Sequence, residues 1–171
     1  MKHMIEPYGG ALCDLLVHGK QGIQIRTESI HLPSLTLDDR QICDLELLLN
    51  GSFSPLTGFL AQKDYNSVVS NLHLSDGTLW PIPINLDVDK EFSNDISSGD
   101  KIVLRDQEGV ALAVLTISDI WTPNKANEAE KVYGTQDVVH PAVDYLLNQT
   151  GEVYVGGKLE GLELPRHYDY K

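Results

Sequence analysis

The segment Lys101–Trp121 constrains the fold most, because it predicts a long antiparallel hairpin. The apolar run KIVLR follows a glycine-aspartate pair, and the polar turn Asp106–Gly109 separates it from a second β-rich run, VALAVLTISDIW. Two such runs around a short, glycine-containing turn are typical of a β-hairpin. The centre of the chain is therefore expected to be built on strands.

Three other segments favour extended structure. Thr78–Val88 alternates around two prolines, and it follows Ser75–Gly77, a turn signal that suggests a hairpin. Because proline cannot donate to a strand ladder, this strand is predicted at a sheet edge or a bulge. Ile23–Leu32 alternates partly, and Glu152–Leu164 is strand-like but is expected to break at Gly156-Gly157.

Helical periodicity precedes the hairpin. Apolar residues recur at helical spacing from Leu37 to Leu49, and Thr36 with Asp39 resembles a capping box at the start. Gly51 stands where a left-handed residue would close this helix. A second helix is predicted around Gln62–Leu72, with its acidic residue near the positive end of the helix.

Two shorter helices are predicted after the hairpin. Asn124–Val132 is a polar helix ended by Gly134, and His140–Asn148 carries a proline in its first turn. Helices thus cluster early, whereas strands dominate the centre and the end of the chain. This order predicts an α+β fold with a small, mostly antiparallel sheet or barrel.

Length and charge narrow the classes of function. The 171 residues fit one domain, and 25 acidic against 13 basic residues give a net charge of −12. Nucleic acid is therefore not expected as the main partner, because such binding depends on basic residues that neutralise phosphates. The sequence lacks the ~20-residue apolar stretch of a membrane span and the apolar core of a secretory signal, so a cytoplasmic protein is expected.

The cysteines and histidines match no metal-ligand spacing. Cys13 and Cys43 are predicted to be free, buried thiols, since a disulfide is not expected in a reducing cytosol. Surface or hydrogen-bonded structural roles are favoured for all six histidines: His3, His18, His31, His73, His140 and His167. Capping and turn formation account for the carboxylates at apparent turns and helix starts: Asp38, Asp39, Asp87, Asp89 and Asp137.

Two segments imitate functional loops. GEVYVGGK, residues 151–158, approaches a phosphate-binding loop, but Leu159 replaces the required Ser or Thr and the preceding residues are strand-like. A bulged strand is favoured there. In Asp44–Leu60, Ser52 and Ser54 lack the context of a nucleophile, so a buried elbow whose hydroxyls cap backbone groups is predicted. No catalytic, cofactor-binding or metal-ligating residue is predicted.

The order of four segments resembles a known family. CDLELLLNGSFSPLTGFL, DGTLWPIPINLDV, GDKIVLRDQEGVALAVL and HPAVDYLLNQTGEVYVGGKLEGLELPRHYDY are similar to the N-terminal, PUA-like domain of ATP sulfurylase (sulfate adenylyltransferase). The resemblance extends from Pro7 to Tyr170, with Tyr8 where the family often has histidine. It implies a PUA-like pseudo-barrel over residues 1–165 and, over residues 166–171, the start of a linker to a catalytic domain.

The resemblance also implies a function for the parent enzyme. That family joins sulfate to ATP with the help of Mg²⁺ and forms adenosine 5′-phosphosulfate and pyrophosphate. Its catalytic marks are Gln-x-Arg-Asn-Pro-x-His, a His-x-x-His pair and Gly-Arg-Asp in the following domain, and this sequence contains none of them. The chain is thus expected to be non-catalytic and to bind no cofactor itself. Its expected partners are a catalytic domain, in the same or a separate chain, and further copies in a homo-oligomer.

Two alternatives stay open at this point. The PUA-like fold is shared with RNA-modifying proteins, so an RNA-binding module is one alternative, on fold analogy alone. A stand-alone regulatory subunit of a separate sulfurylase chain is the other.

Overall fold

The computed structural model describes residues 5–167. His3 and residues 168–171 of the predicted linker lie outside the described residues. The strands are β1 Ser34–Thr36, β2 Leu86–Val88, β3 Lys101–Arg105, β4 Ala111–Trp121 and β5 Val153–Gly161. The helices are α1 Gly19–Ser29, α2 Asp39–Leu49, α3 Gln62–Asn71, α4 Lys90–Asn94, α5 Lys125–Glu128 and α6 Pro141–Asn148, with a π-helical turn over Ala129–Tyr133.

The strands form a mixed sheet in the order β1-β3-β4-β5-β2. β1 runs parallel to β3, whereas β3 pairs antiparallel with β4 and β2 pairs antiparallel with β5. A mostly antiparallel sheet with several short helices confirms the predicted α+β class. No helix within residues 5–167 has the length and apolarity needed to cross a membrane.

The predicted hairpin is confirmed as β3 and β4, paired from Lys101 opposite Thr116 to Arg105 opposite Ala111. The Asp106 carboxylate closes the turn by accepting a 2.7 Å hydrogen bond from the Val110 N–H. The predicted strand Thr78–Val88 is confirmed only for its last three residues, because β2 spans Leu86–Val88 at the edge of the sheet and both prolines lie outside it.

The predicted extended segment Ile23–Leu32 is wrong for most of its length, because Gly19–Ser29 forms helix α1. Its buried residues, Gly22, Ile25 and Ser29, follow helical spacing. Ile25 packs in a buried cluster with Val103, Val114 and Leu162. Packing of one helix face therefore overrides the weak helix propensity of a segment that contains two glycines and two isoleucines.

Helix α2 is confirmed, but its predicted cap is wrong. Asp38 is the N-cap: its carboxylate accepts from the Gln41 N–H at 2.7 Å, and the Gln41 side chain accepts from the Asp38 N–H at 3.1 Å. Thr36 belongs to β1, where it pairs with Arg105 and holds an extended conformation that precedes the helix. Gly51 closes the helix with φ +81°, as predicted.

The remaining predicted helices are confirmed, with one change of geometry. α3 ends at Leu72, which adopts a left-handed conformation with φ +59°. α5 widens into the π-helical turn, which closes at Gly134 with φ +72°. α6 follows His140 and has its proline in the first turn.

The predicted break at Gly156-Gly157 is wrong, because β5 continues through both glycines. A Cβ atom on Gly156 would lie 2.2 Å from the Leu60 carbonyl oxygen, and the Gly157 N–H donates to the Phe59 carbonyl at 3.0 Å. The glycines serve close backbone approach rather than a chain break.

The chain divides into two compact units. The described residues of unit 1 fall within Met1–Gly58, Lys101–Thr116 and Lys158–Lys171, and those of unit 2 within Phe59–Asp100 and Ile117–Gly157. The Ile25 cluster belongs to unit 1. Unit 2 contains a cluster of three aromatic rings, formed by Tyr65, Trp121 and Tyr154.

Candidate functional site

In the elbow between α2 and α3, the Ser54 hydroxyl caps backbone groups as predicted, whereas the Ser52 hydroxyl does not. Ser54 is buried, and its hydroxyl donates to the Gly51 carbonyl at 2.6 Å and accepts from the Cys13 N–H at 2.9 Å. Ser52 is exposed, and only its backbone N–H contributes, by donating to Asn50 Oδ1 at 2.9 Å. The capping prediction is thus confirmed for Ser54, whose hydroxyl is engaged by the backbone on both sides.

The two cysteines are free, as predicted, but neither is buried. Cys43 is exposed because it lies away from the α2 face that carries the buried Leu45 and Leu48. Cys13 is half-buried beside the elbow, with its sulfur 3.4 Å from the Pro55 carbonyl oxygen.

The predicted capping and turn roles are confirmed for Asp38, Asp89 and Asp137, but the prediction is wrong for Asp87. Asp89 is the N-cap of α4 and accepts from the Phe92 N–H at 2.6 Å, and Asp137 accepts from the Val139 N–H at 2.9 Å. Asp87 differs from the others because it is buried in β2, where its carboxylate accepts from the Gly151 N–H at 2.6 Å.

The described histidines lie apart and occupy structural positions. His18 and His140 precede α1 and α6, and the His140 ring lies 5.5 Å from the Tyr133 ring between centroids. His73 contacts the Asn71 carbonyl, and His167 Nε2 lies 2.8 Å from Glu46 Oε2. Within residues 5–167, no group of three or more His, Cys, Asp or Glu is placed to hold a metal ion.

Sequence reasoning missed the most enzyme-like arrangement, a carboxylate with two tyrosines. Glu128 at the end of α5 is buried, with a relative exposure of 4%. Its Oε2 accepts hydrogen bonds from Tyr65 of α3 at 2.9 Å and from Tyr154 of β5 at 3.1 Å. Trp121 of β4 lies against both phenol rings, at centroid distances of 5.5 and 5.9 Å. We call these four residues the Glu128 cluster.

The electrostatics of the cluster keep both phenols protonated. Burial raises the pKa of Tyr65 and of Tyr154, and the charge of the Glu128 carboxylate raises each pKa further. Both hydroxyls therefore remain donors to the carboxylate. A carboxylate that accepts two such bonds is suited to joining α3, α5 and β5 rather than to accepting a proton from a substrate.

A lysine stands beside this cluster. Lys125 Nζ donates to Thr150 at its carbonyl, 3.0 Å away, and at its hydroxyl, 2.6 Å away. Burial lowers the pKa of Lys125, and the negative charges of Asp87, Glu128 and Glu152 oppose that shift. The lysine thus fastens the loop after α6 to the start of α5.

The cluster was beyond sequence reasoning because its members come from distant positions. Tyr65 is 63 residues from Glu128, and Tyr154 is 26 residues from it. The helix predicted around Gln62–Leu72 places Tyr65 at a spacing that indicates burial but indicates no polar partner.

A cleft of about 480 Å³ adjoins Trp121 in unit 2. Its wall consists of Lys90, Ser93, Asn94, Ile120, Trp121, Thr122, Glu152 and Val153. The Trp121 indole N–H is buried and has no acceptor within the described part of the chain. Lys90 and Glu152 are exposed, so the wall of the cleft combines an apolar floor with charges of both signs.

Comparison with known proteins identifies the family to which the chain belongs. The PUA-like domain family matches residues 5–164. The chain belongs to the PUA-like domain family. This match and the mixed sheet with its short helices confirm the predicted PUA-like α+β fold.

Proteins similar to this chain include sulfate adenylyltransferases and a solved APS kinase structure. The sulfate adenylyltransferase of Saccharomyces cerevisiae is 48% identical over 98% of this chain and 33% of its own length. That of Candida albicans is 53% identical over 96% of this chain and 33% of its own length. The solved hexameric APS kinase from Thiobacillus denitrificans is 35% identical, with a TM-score of 0.75, over 98% of this chain and 28% of its own length.

These matches confirm the resemblance to the N-terminal domain of ATP sulfurylase. The chain spans about a third of the length of the curated relatives it matches.

The role of Ser54 is tested by a matched pair of serine substitutions. Ser54→Ala removes the buried hydroxyl between Gly51 and Cys13 and leaves the half-buried Cys13 N–H without its acceptor, so it is expected to lower the free energy of unfolding by about 1–3 kcal/mol. Ser52→Ala, on the exposed side of the elbow, is expected to change it by less than about 0.5 kcal/mol. Urea denaturation measures both; equal effects would contradict the assigned role of Ser54.

The Glu128 cluster predicts a loss of stability at alkaline pH. A tyrosine in the unfolded chain loses its proton near pH 10, whereas the raised pKa values of Tyr65 and Tyr154 keep them protonated in the fold. The contribution of these two tyrosines to the free energy of unfolding is therefore complete below about pH 10. It falls as pH rises above that value, by up to ~1.4 kcal/mol per pH unit for each tyrosine. Tyr65→Phe should weaken this pH dependence by about 1 kcal/mol between pH 9 and 11 in denaturation experiments. The same pH dependence in both proteins would show that Tyr65 is not held protonated.

Proposed function

We propose that this chain is the non-catalytic N-terminal domain of a sulfate adenylyltransferase. The observation that carries the proposal is identity of 47–53% that runs along nearly the whole chain yet covers only about a third of each relative. A match of that kind is expected for one domain of a longer enzyme. In this role the domain supports the catalytic domain and the assembly of the enzyme.

ATP and Mg²⁺ are proposed as ligands of the parent enzyme outside this chain. The buried carboxylates, which would be the natural oxygen ligands for Mg²⁺, are already engaged: Asp87 by the Gly151 N–H and Glu128 by two tyrosines. The loop-like GGK segment lies in β5, where Gly156 abuts the Leu60 backbone, so it does not fit a phosphate. A net charge of −12 opposes binding of a polyphosphate as well.

The proposed partners follow from the parent enzyme. The catalytic domain, in the same or a separate chain, is the first partner, and further copies in a homo-oligomer are the second. The hexameric APS kinase from Thiobacillus denitrificans, of which this chain covers 28%, supports an oligomer. A cytoplasmic location is proposed for the whole enzyme, in keeping with an intracellular nucleotide substrate.

A pyrophosphate-release assay with ATP, Mg²⁺ and sulfate tests the proposed function. The purified 171-residue chain is expected to give no turnover above a heat-denatured sample, because its polar groups serve the fold. The protein encoded by the gene read beyond Lys171, or this chain together with a separate catalytic chain, is expected to give turnover. Turnover by the 171-residue chain alone would overturn the non-catalytic role, and no turnover with the catalytic part present would overturn the parent activity.

A further inference from the structure

The elbow after α2 begins with Asn50-Gly51, the only Asn-Gly pair in the sequence. In such a pair the backbone nitrogen of the glycine can attack the side-chain carbonyl carbon of the asparagine. Glycine favours this attack because it has no Cβ to obstruct it and because its backbone rotates freely. Asn50 is exposed, so water and hydroxide reach it. The pair is therefore a candidate for spontaneous deamidation.

The reaction needs water and no other reactant. Hydroxide removes the proton from the Gly51 nitrogen, which then forms a bond to Asn50 Cγ. The bond between Cγ and Nδ2 breaks, and the amide group takes a proton from water and leaves as ammonia. Water opens the resulting five-membered succinimide at either of its carbonyl carbons. One product is aspartate, and the other is isoaspartate, whose main chain runs through Cβ.

The fold keeps the two reacting groups of this pair apart. The side-chain oxygen of Asn50 accepts from the Ser52 N–H at 2.9 Å, and the Gly51 N–H donates to the Leu48 carbonyl at 3.3 Å. The ψ angle of Asn50 is 0°, so the Gly51 nitrogen eclipses the backbone nitrogen of Asn50 and is turned away from Cβ. The ring can close only after the Gly51 peptide has rotated.

Contacts of the elbow prevent that rotation. The Gly51 carbonyl accepts from the Ser54 hydroxyl at 2.6 Å and from the Ser54 N–H at 3.0 Å. A Cβ atom on Gly51 would lie 2.8 Å from Leu12 Cδ1 and 2.9 Å from the Cys13 carbonyl oxygen, so the glycine is packed against a distant segment of unit 1. Rotation therefore requires local opening of the elbow.

We propose that Asn50 is a site of spontaneous deamidation and that opening of the elbow sets its rate. This inference is independent of the proposed function, because it uses only contacts within unit 1. The modification places a carboxylate at the C-terminal end of α2, where the helix dipole disfavours negative charge. The isoaspartate product also adds a main-chain atom before Gly51, which has no space to move, so the elbow of that product does not close as before.

The first experiment compares the folded chain with the same chain unfolded in guanidinium chloride at mildly alkaline pH. Mass spectrometry of the peptide that contains Asn50 measures the conversion of the amide to a carboxylate. The folded chain is expected to react at least about ten-fold more slowly, because only the open fraction of molecules can form the ring. Equal rates would overturn the control by the elbow, and an unfolded chain that does not react at Asn50 would overturn the site.

Three variants test whether the elbow itself sets the rate. Ser54→Ala is expected to raise the rate of the folded chain at least about five-fold, whereas Ser52→Ala, which keeps the backbone N–H, should leave it unchanged. Tyr65→Phe weakens the Glu128 cluster in unit 2 and should also leave the rate unchanged. No acceleration in Ser54→Ala would contradict the proposal. Equal acceleration in Tyr65→Phe would assign the reaction to global unfolding and overturn the local opening.

The products test the expected effect on the elbow. Anion exchange separates the deamidated chain, and the melting temperature of its isoaspartate form is compared with that of Asn50→Asp, which carries the same charge without the added main-chain atom. The isoaspartate form is expected to melt at the lower temperature. Equal melting temperatures would show that the elbow accommodates the longer main chain and would overturn this part of the proposal.

Discussion

A single buried carboxylate sets the arrangement of unit 2. Glu128 accepts hydrogen bonds from Tyr65 and Tyr154, so one oxygen atom joins the third helix, the fifth helix and the fifth strand. A buried charge without partners is strongly destabilising, and two partners from distant segments hold those segments to it. The Trp121 ring packs against both phenols and excludes water from the site.

The chemically reactive side chains of the Glu128 cluster and of the elbow therefore have structural roles. A carboxylate next to two tyrosines and a half-buried lysine has the composition of a general acid-base site, yet its hydroxyls are held protonated by burial and by the Glu128 charge. The Ser54 hydroxyl also has a structural role, because it donates to the Gly51 carbonyl and accepts from the Cys13 N–H. These contacts support our proposal that the domain is non-catalytic and supports the catalytic domain of an enzyme.

Local signals made much of the fold predictable from sequence. The hairpin of β3 and β4 and the helices α2, α3 and α6 follow from periodicity and turn residues, which act within a few residues. The same local logic identified Gly51 as a helix terminator and Ser54 as a capping residue. It also gave the correct fold class, because the order of elements along the chain follows from these signals.

The errors fall where distant contacts decide the outcome. α1 is a helix because Ile25 packs on Val103 and Val114, which lie far along the chain. β5 continues through Gly156 because the Leu60 backbone occupies the space that a side chain at position 156 would need. The Glu128 cluster combines three distant segments, so no spacing in the sequence could reveal it.

The most direct test of the structural role of Glu128 is Glu128→Gln in the complete enzyme that we propose, with melting temperature and kcat measured on the same folded sample. The substitution keeps the shape and removes the charge-assisted bonds, which are worth about 1.5–3 kcal/mol each. We predict a lower melting temperature and a kcat within about two-fold of the parent, since the residue touches no reacting group. A kcat lowered ten-fold or more at an unchanged melting temperature would contradict this account and place Glu128 in the reaction.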